Sequence, residues 1–147
     1  MPLIDDQGNI RWLIHLTSSP EEVFQLLSTD GGRAQFWAES AKEMDGFVSF
    51  QFPNGMSWRG EILENDPSGR FAIVYLGETI TAFALSDDGK GGTDLTLTDK
   101  GVPLEDQHEV LAGWVSVLMA LKATVDFGVD LRNHDPSRTW DQGYADN

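Results

Sequence analysis

Residues 10–17 carry an apolar face at every second position. Ile10, Trp12, Ile14 and Leu16 fall on one parity, Arg11 and His15 on the other, which is the signature of a half-buried strand. Ser19-Pro20-Glu21-Glu22 then opens a helix: Ser19 caps it, Pro20 suits the first turn, and Glu22 completes a capping box. Val23, Phe24, Leu26 and Leu27 supply its apolar face, and Thr29-Asp30-Gly31-Gly32 ends it. A second short helix over about 32–37 presents Phe36 and Trp37. Five or six short strands follow: weakly over 38–44, strongly over 47–52, then by alternation of Met56, Trp58, Gly60 and Ile62, then over 70–76, 79–85 and 93–98. Turn residues separate them, at Pro53-Asn54-Gly55, Asp66-Pro67-Ser68-Gly69, Gly77-Glu78 and Asp87 to Gly92. Finally Val110, Trp114, Val117, Leu118, Leu121 and Val125 recur at helical spacing. A helix from Glu105 to Arg132 measures roughly 42 Å at 1.5 Å per residue, with Asp135-Pro136 beyond its end.

Consecutive strands with short connections imply an antiparallel sheet, and helices segregated toward the ends imply an α+β fold. We expect a curved sheet of about six to seven strands that grips the long C-terminal helix, with two short helices after the first strand. The expected domain covers residues 1–132. Residues 133–147 form a tail whose Trp140 and Tyr144 are costly to leave in water, so it docks on the same domain or on a second subunit.

Composition narrows the function classes. The 147 residues suit one domain. There is no cysteine, which excludes disulfides, thiol nucleophiles and cysteine-ligated zinc. Ten basic residues against 24 acidic ones give a net charge of −14, unfavourable for nucleic acid or an anionic membrane. The first residues, Met1 to Asp6, carry neither a basic nor an apolar signal region, and no unbroken apolar run approaches ~20 residues. The expectation is a cytoplasmic protein with no membrane or nucleic-acid partner.

Hydrolase, P-loop and dinucleotide-binding motifs are absent, and the Gly31-Gly32 and Gly91-Gly92 pairs read as turns. Glu105, His108 and Glu109 share a helix face, yet acids in a first helical turn are explained by the macrodipole, so no metal site and no cofactor are expected. His15, Arg59 and Glu61 alternate with apolar neighbours and belong on an outer surface, or in a cavity if the faces are reversed. His134 sits where it can support the helix C-terminus.

The order of elements, Phe36-Trp37 after the first helices, the strand Gly92-Thr93-Asp94-Leu95-Thr96-Leu97-Thr98 with Gly101 beyond it, and Gly113-Trp114 with Leu118 and Leu121 resemble the START-like (SRPBCC, helix-grip) superfamily. The nearest branch is the activator of heat-shock protein 90 ATPase homologue family. The resemblance spans about residues 10–132. It implies a seven-stranded antiparallel sheet around the last helix, often with a cavity between them. Members of the superfamily bind lipids, hormones or polyketides, and some catalyse cyclisation or hydrolysis.

Trp12, Phe36, Trp37, Phe50, Trp58, Phe83, Trp114 and Leu118 are the candidate lining of such a cavity, since ligand pockets are largely apolar and aromatic; the same residues suit a plain core. Gly113, costly inside a helix, leaves room for a strand, a bend or a ligand beside Trp114. The expected function is non-enzymatic binding of a small hydrophobic ligand between sheet and helix. A protein-interaction module with a chaperone-type partner, a homodimer, and a cyclase or hydrolase-like enzyme are the alternatives.

Overall fold

The structure is a computed structural model that describes residues 3–147. Met1 and Pro2, at the start of the segment read as lacking a signal sequence, lie outside the described residues. Seven strands form one antiparallel sheet: β1 (Ile10–Leu16), β2 (Ser40–Met44), β3 (Phe47–Gln51), β4 (Ser57–Asp66), β5 (Arg70–Tyr75), β6 (Thr79–Asp87) and β7 (Thr93–Lys100). Their spatial order is β1-β7-β6-β5-β4-β3-β2. Strands β2 to β7 meander, each beside its sequence neighbour, while β1 pairs with the last strand, Ile10 opposite Asp99 and Leu16 opposite Thr93. A register shift between Ile62 and Glu64 interrupts the β4–β5 pairing, an irregularity of the kind that bends a sheet.

Helices α1 (Pro20–Ser28) and α2 (Asp30–Ala34) lie between β1 and β2, and α3 (Gln107–Phe127) closes the chain's main body. The Ser19 hydroxyl accepts from Glu22 N at 3.3 Å, and Pro20 occupies the first turn, as the sequence suggested. Thr29 serves both short helices. Its N–H donates to Gln25 O at the end of α1, and its hydroxyl accepts from Gly32 N at the start of α2. Gly31 and Gly32 therefore sit within a helix, not in a turn, and α2 begins and ends earlier than expected.

The long helix is shorter than its apolar pattern implied. Residues 104–106 form a single 3-10 turn, and α3 stops at Gly128, whose φ of 65° places it in the left-handed region and whose N–H caps the last turn. The chain continues without helix from there, so Arg132 and Asp135-Pro136 do not mark the end of α3.

Trp114, Leu118 and Leu121 on α3 face the sheet and are buried; Val110, Val117 and Val125 pack at the edge of the same core. The other face of α3 is also apolar, with Val115 and Met119 exposed. By length and composition alone, Leu104–Phe127 is long and apolar enough to cross a membrane, although charged residues interrupt its apolar run, and more of it is exposed than buried. Its sheet-facing side chains are taken up by the core.

Candidate functional site

The space between the sheet and α3 holds an aromatic cluster centred on Trp37. Its ring lies 5.0 Å from Phe50, 5.4 Å from Tyr75, 5.4 Å from Phe83 and 6.2 Å from Trp114, centroid to centroid, with tilted or edge-on geometry. Those arrangements suit the ring quadrupoles. Strand parity explains the convergence. Phe50 on β3, Phe71, Ile73 and Tyr75 on β5, Phe83 on β6, and Leu95 and Leu97 on β7 all alternate inward, while Trp37 follows α2 and drops onto them.

Of the eight cavity candidates, Phe36, Trp37, Phe50, Phe83, Trp114 and Leu118 are brought together as buried core. Trp12 and Trp58 are half-buried and flank the cluster. The Trp12 indole Nε1 donates to Leu111 O of α3 at 3.1 Å. The Trp58 Nε1 donates to Val74 O at 3.0 Å, passing over Gly60, where a Cβ would stand 1.9 Å from that same carbonyl oxygen. Gly113 does not make room beside Trp114: it is exposed, and a Cβ there would meet nothing within 4 Å.

A buried polar group lies inside this aromatic shell, and the sequence reading missed it. Asp99, 1% exposed, accepts from Trp114 Nε1 at 2.8 Å through one carboxylate oxygen and from the Thr81 hydroxyl at 3.0 Å through the other. Burial pushes its carboxyl above the usual carboxylate range, against the opposing pull of Trp114, Thr79 and Thr81. It forms no ion pair with any described cation. The Thr79 hydroxyl bears on this carboxylate yet is buried without a hydrogen-bond partner. The Tyr75 hydroxyl accepts from Trp37 Nε1 at 3.0 Å, and burial drives its acidity far down, its pKa raised beyond the ordinary tyrosine range. The signal for Asp99 was present. It continues the inward parity of Thr93, Leu95 and Leu97, but the strand runs to Lys100, two residues past the expected end.

The other candidates lie outside the core. His15 is exposed and meets Asp94 at 3.1 Å and Asp88 at 3.5 Å. Arg59 stacks over the Phe47 ring at 3.9 Å, and Glu61 is exposed. All three belong to the outer sheet face, the first of the two placements weighed for them. Glu105, His108 and Glu109 are exposed, and no three metal-capable side chains converge among the described residues.

Two open hollows lie elsewhere on the surface. One, about 360 Å³, sits on the outer sheet face over Ala72, Ala82 and Thr98, between Leu63, Arg70, Ile80 and Lys100. The other, about 240 Å³, lies between Val115, Met119 and Leu131 and the chain's last three residues.

Residues after α3 make contacts with α2, the residues leading into β2 and the β3–β4 region. Arg132 donates to Ala34 O at 2.8 Å and Ala38 O at 2.9 Å. His134 does not support the end of α3; it bridges Glu39 at 2.8 Å and Asp130 at 2.7 Å. These two carboxylates raise its pKa, with Asp130 the larger influence. Trp140 sets its ring edge-on to Phe52 at 5.5 Å, and Phe52 in turn stacks on Phe50 at 5.9 Å. Asn54 donates to Asp141 at 2.9 Å.

Solved structures share this architecture. The solution structure of the Aha1 dimer from Colwellia psychrerythraea is 21% identical with a TM-score of 0.72, over 82% of this chain and 97% of that one. A Staphylococcus saprophyticus protein is 21% identical with a TM-score of 0.73, over 84% and 96% of the two chains. DynU16, from the dynemicin biosynthetic locus, is 19% identical with a TM-score of 0.73, and this chain spans about half of its length, 86% of this chain matching 49% of that one. At such identities the likeness is one of fold. No curated protein matches the chain. Residues 17–126, from the end of β1 through nearly all of α3, match the family described as Activator of Hsp90 ATPase homolog 1-like protein. The chain belongs to that family.

Proposed function

We propose that the chain is a non-enzymatic binding domain that takes a small hydrophobic molecule between the sheet and α3. One observation carries this reading. The aromatic interior surrounds a few convergent polar groups, Asp99, Thr79, Thr81 and Tyr75, of which Thr79 is unpartnered. A core that served packing alone gains nothing from a buried carboxylate, whereas a binding site needs an apolar lining with a small number of orienting polar groups. The rings of Trp37 and Trp114 fill this space, so uptake proceeds by their repacking and a shift of α3. Trp12, Phe36, Phe50, Phe83 and Leu118 complete the proposed lining, and Trp58 stands at its margin.

Native mass spectrometry of gently purified protein tests the reading. The expected spectrum carries additional mass that is lost on denaturation. Bare protein, together with unmoved Trp37 and Trp114 indole N–H resonances during titration with an apolar dye, overturns it.

A second reading rests on a different observation. Val115, Met119, Phe127, Val129 and Leu131 are all exposed, and Val115, Met119 and Leu131 border the 240 Å³ hollow beside α3. In a chain of net charge −14, the helical part of this strip, Leu111 to Val125, carries no acidic side chain, a surface on which two such copies meet with little repulsion, while Asp130 and Asp146 lie at its end. The Colwellia relative was solved as a dimer. A homodimer through this face predicts a concentration-dependent doubling of mass in sedimentation that Met119→Glu abolishes. A chaperone-type protein partner, suggested by the family description, is the other occupant of that face; a chain that stays monomeric yet captures purified heat-shock protein 90 would favour it.

A further inference from the structure

The buried carboxylate narrows the chemistry of the molecule taken into the interior. Asp99 has no cationic partner among the described residues, yet it sits against the indole of Trp114, with the rings of Tyr75, Phe83 and Trp37 packed around that indole. A carboxylate offers about four lone-pair positions; Trp114 and Thr81 donate to this one, and the Thr79 hydroxyl also bears on it. The Thr79 hydroxyl is buried and has no hydrogen bond of ordinary geometry. Neutral donors alone do not balance the cost of holding a negative charge out of water, so burial favours the protonated carboxyl. A group with several N–H donors and a positive charge would restore the carboxylate, and the aromatic faces around it form the environment in which organic cations are held.

We infer that the molecule bound between sheet and α3 is an apolar amine, its ammonium group paired with Asp99 and the Thr79 hydroxyl and its hydrocarbon body among Trp37, Phe83 and Trp114. This rests on the interior binding site proposed above and adds the class of its occupant. An ammonium supplies three donors where the protein has spare acceptors. It also draws Asp99 back to the ionised state that burial disfavours. A neutral alcohol of the same shape supplies one donor and no charge.

The test compares 2-phenylethylammonium with 2-phenylethanol, using the indole N–H resonances of the intact protein as the reporter. The Trp114 Nε1–H, bonded to Asp99, is expected to move most. The expected result is that the amine binds about tenfold or more tightly than the alcohol, and that Asp99→Asn removes the difference. Asparagine can accept from Trp114 and donate to the Thr81 hydroxyl, so this variant keeps the local hydrogen bonds; the wild-type comparison of amine and alcohol stands without it. Equal binding of the two probes, unchanged in the variant, overturns the amine assignment and leaves the interior site intact. Failure of both probes to move any indole resonance overturns the site and the amine together.

Discussion

At the scale of single residues, Asp99 and Trp114 set the character of the interior. Replacing Trp114 with Phe keeps most of the ring volume but removes the Nε1–H that reaches Asp99. A buried acceptor left unpaired costs about 1–3 kcal/mol, so urea denaturation of Trp114→Phe should show a loss of that size. Asp99 also gives stability a direction with pH. Its folded pKa is raised above the unfolded value of 3.8, so folding favours its protonated form. The associated stability is complete below 3.8 and is lost as pH rises through the raised folded value. Denaturation midpoints measured across that window should fall with pH in the wild type and fall less in Asp99→Asn. The burial of Phe50, Phe83, Trp114 and Leu118 was legible from alternation and spacing, because period-two parity places the first two, and helical period the last two, on core-facing sides. Asp99 and Tyr75 were overlooked for opposite reasons. A charged residue at a strand end is ordinarily read as a turn, and a tyrosine is ordinarily read as one more apolar position.

At the scale of elements, α3 shows how an apolar pattern overstates a helix. Val129 and Leu131 extend the hydrophobic run, but Gly128 adopts φ of 65° and stops the helix. The glycine was visible in the sequence, and its weight as a cap was missed because apolar residues continued beyond it. Alanine at this position must take a left-handed conformation, at a cost of about 1 kcal/mol. Gly128→Ala is therefore expected to lower the urea midpoint modestly without altering the sheet, and circular dichroism should show unchanged strand content. Asp126, two residues before this cap, anchors α3 to the end of β1. Partial burial works to raise its carboxyl, but donation from the Ser18 hydroxyl, the N–H groups of Thr17 and Ser18, and Lys122 outweighs it and brings the pKa to about 2.

At the scale of the whole molecule, the tail lies beyond the family match, which covers residues 17–126. It was legible only as a segment too aromatic to be loose. Its landing place depends on the Phe52 ring and on the carbonyls of Ala34 and Ala38, which no periodicity announces. His134 makes this attachment pH-dependent. Its folded pKa is raised from 6.5 by Asp130 and Glu39, so its contribution is fully present below 6.5 and is lost as pH rises through the raised value. Hydrogen exchange of residues 139–144 should quicken across that interval after correction for intrinsic rates, and His134→Gln should remove the dependence.

The sheet order has a consequence for how the protein comes into being. Strands β2 to β7 can join as they emerge, each beside the one before. β1 cannot. Its partner β7 ends at Lys100, so the first strand synthesised must wait, apolar face uncovered, until most of the chain has left the ribosome. Closing that long loop is the slow, non-local step of assembly, and chains halted before Thr93 would leave Ile10, Trp12, Ile14 and Leu16 without the neighbour they pair beside. The strand made first is among the last to be used.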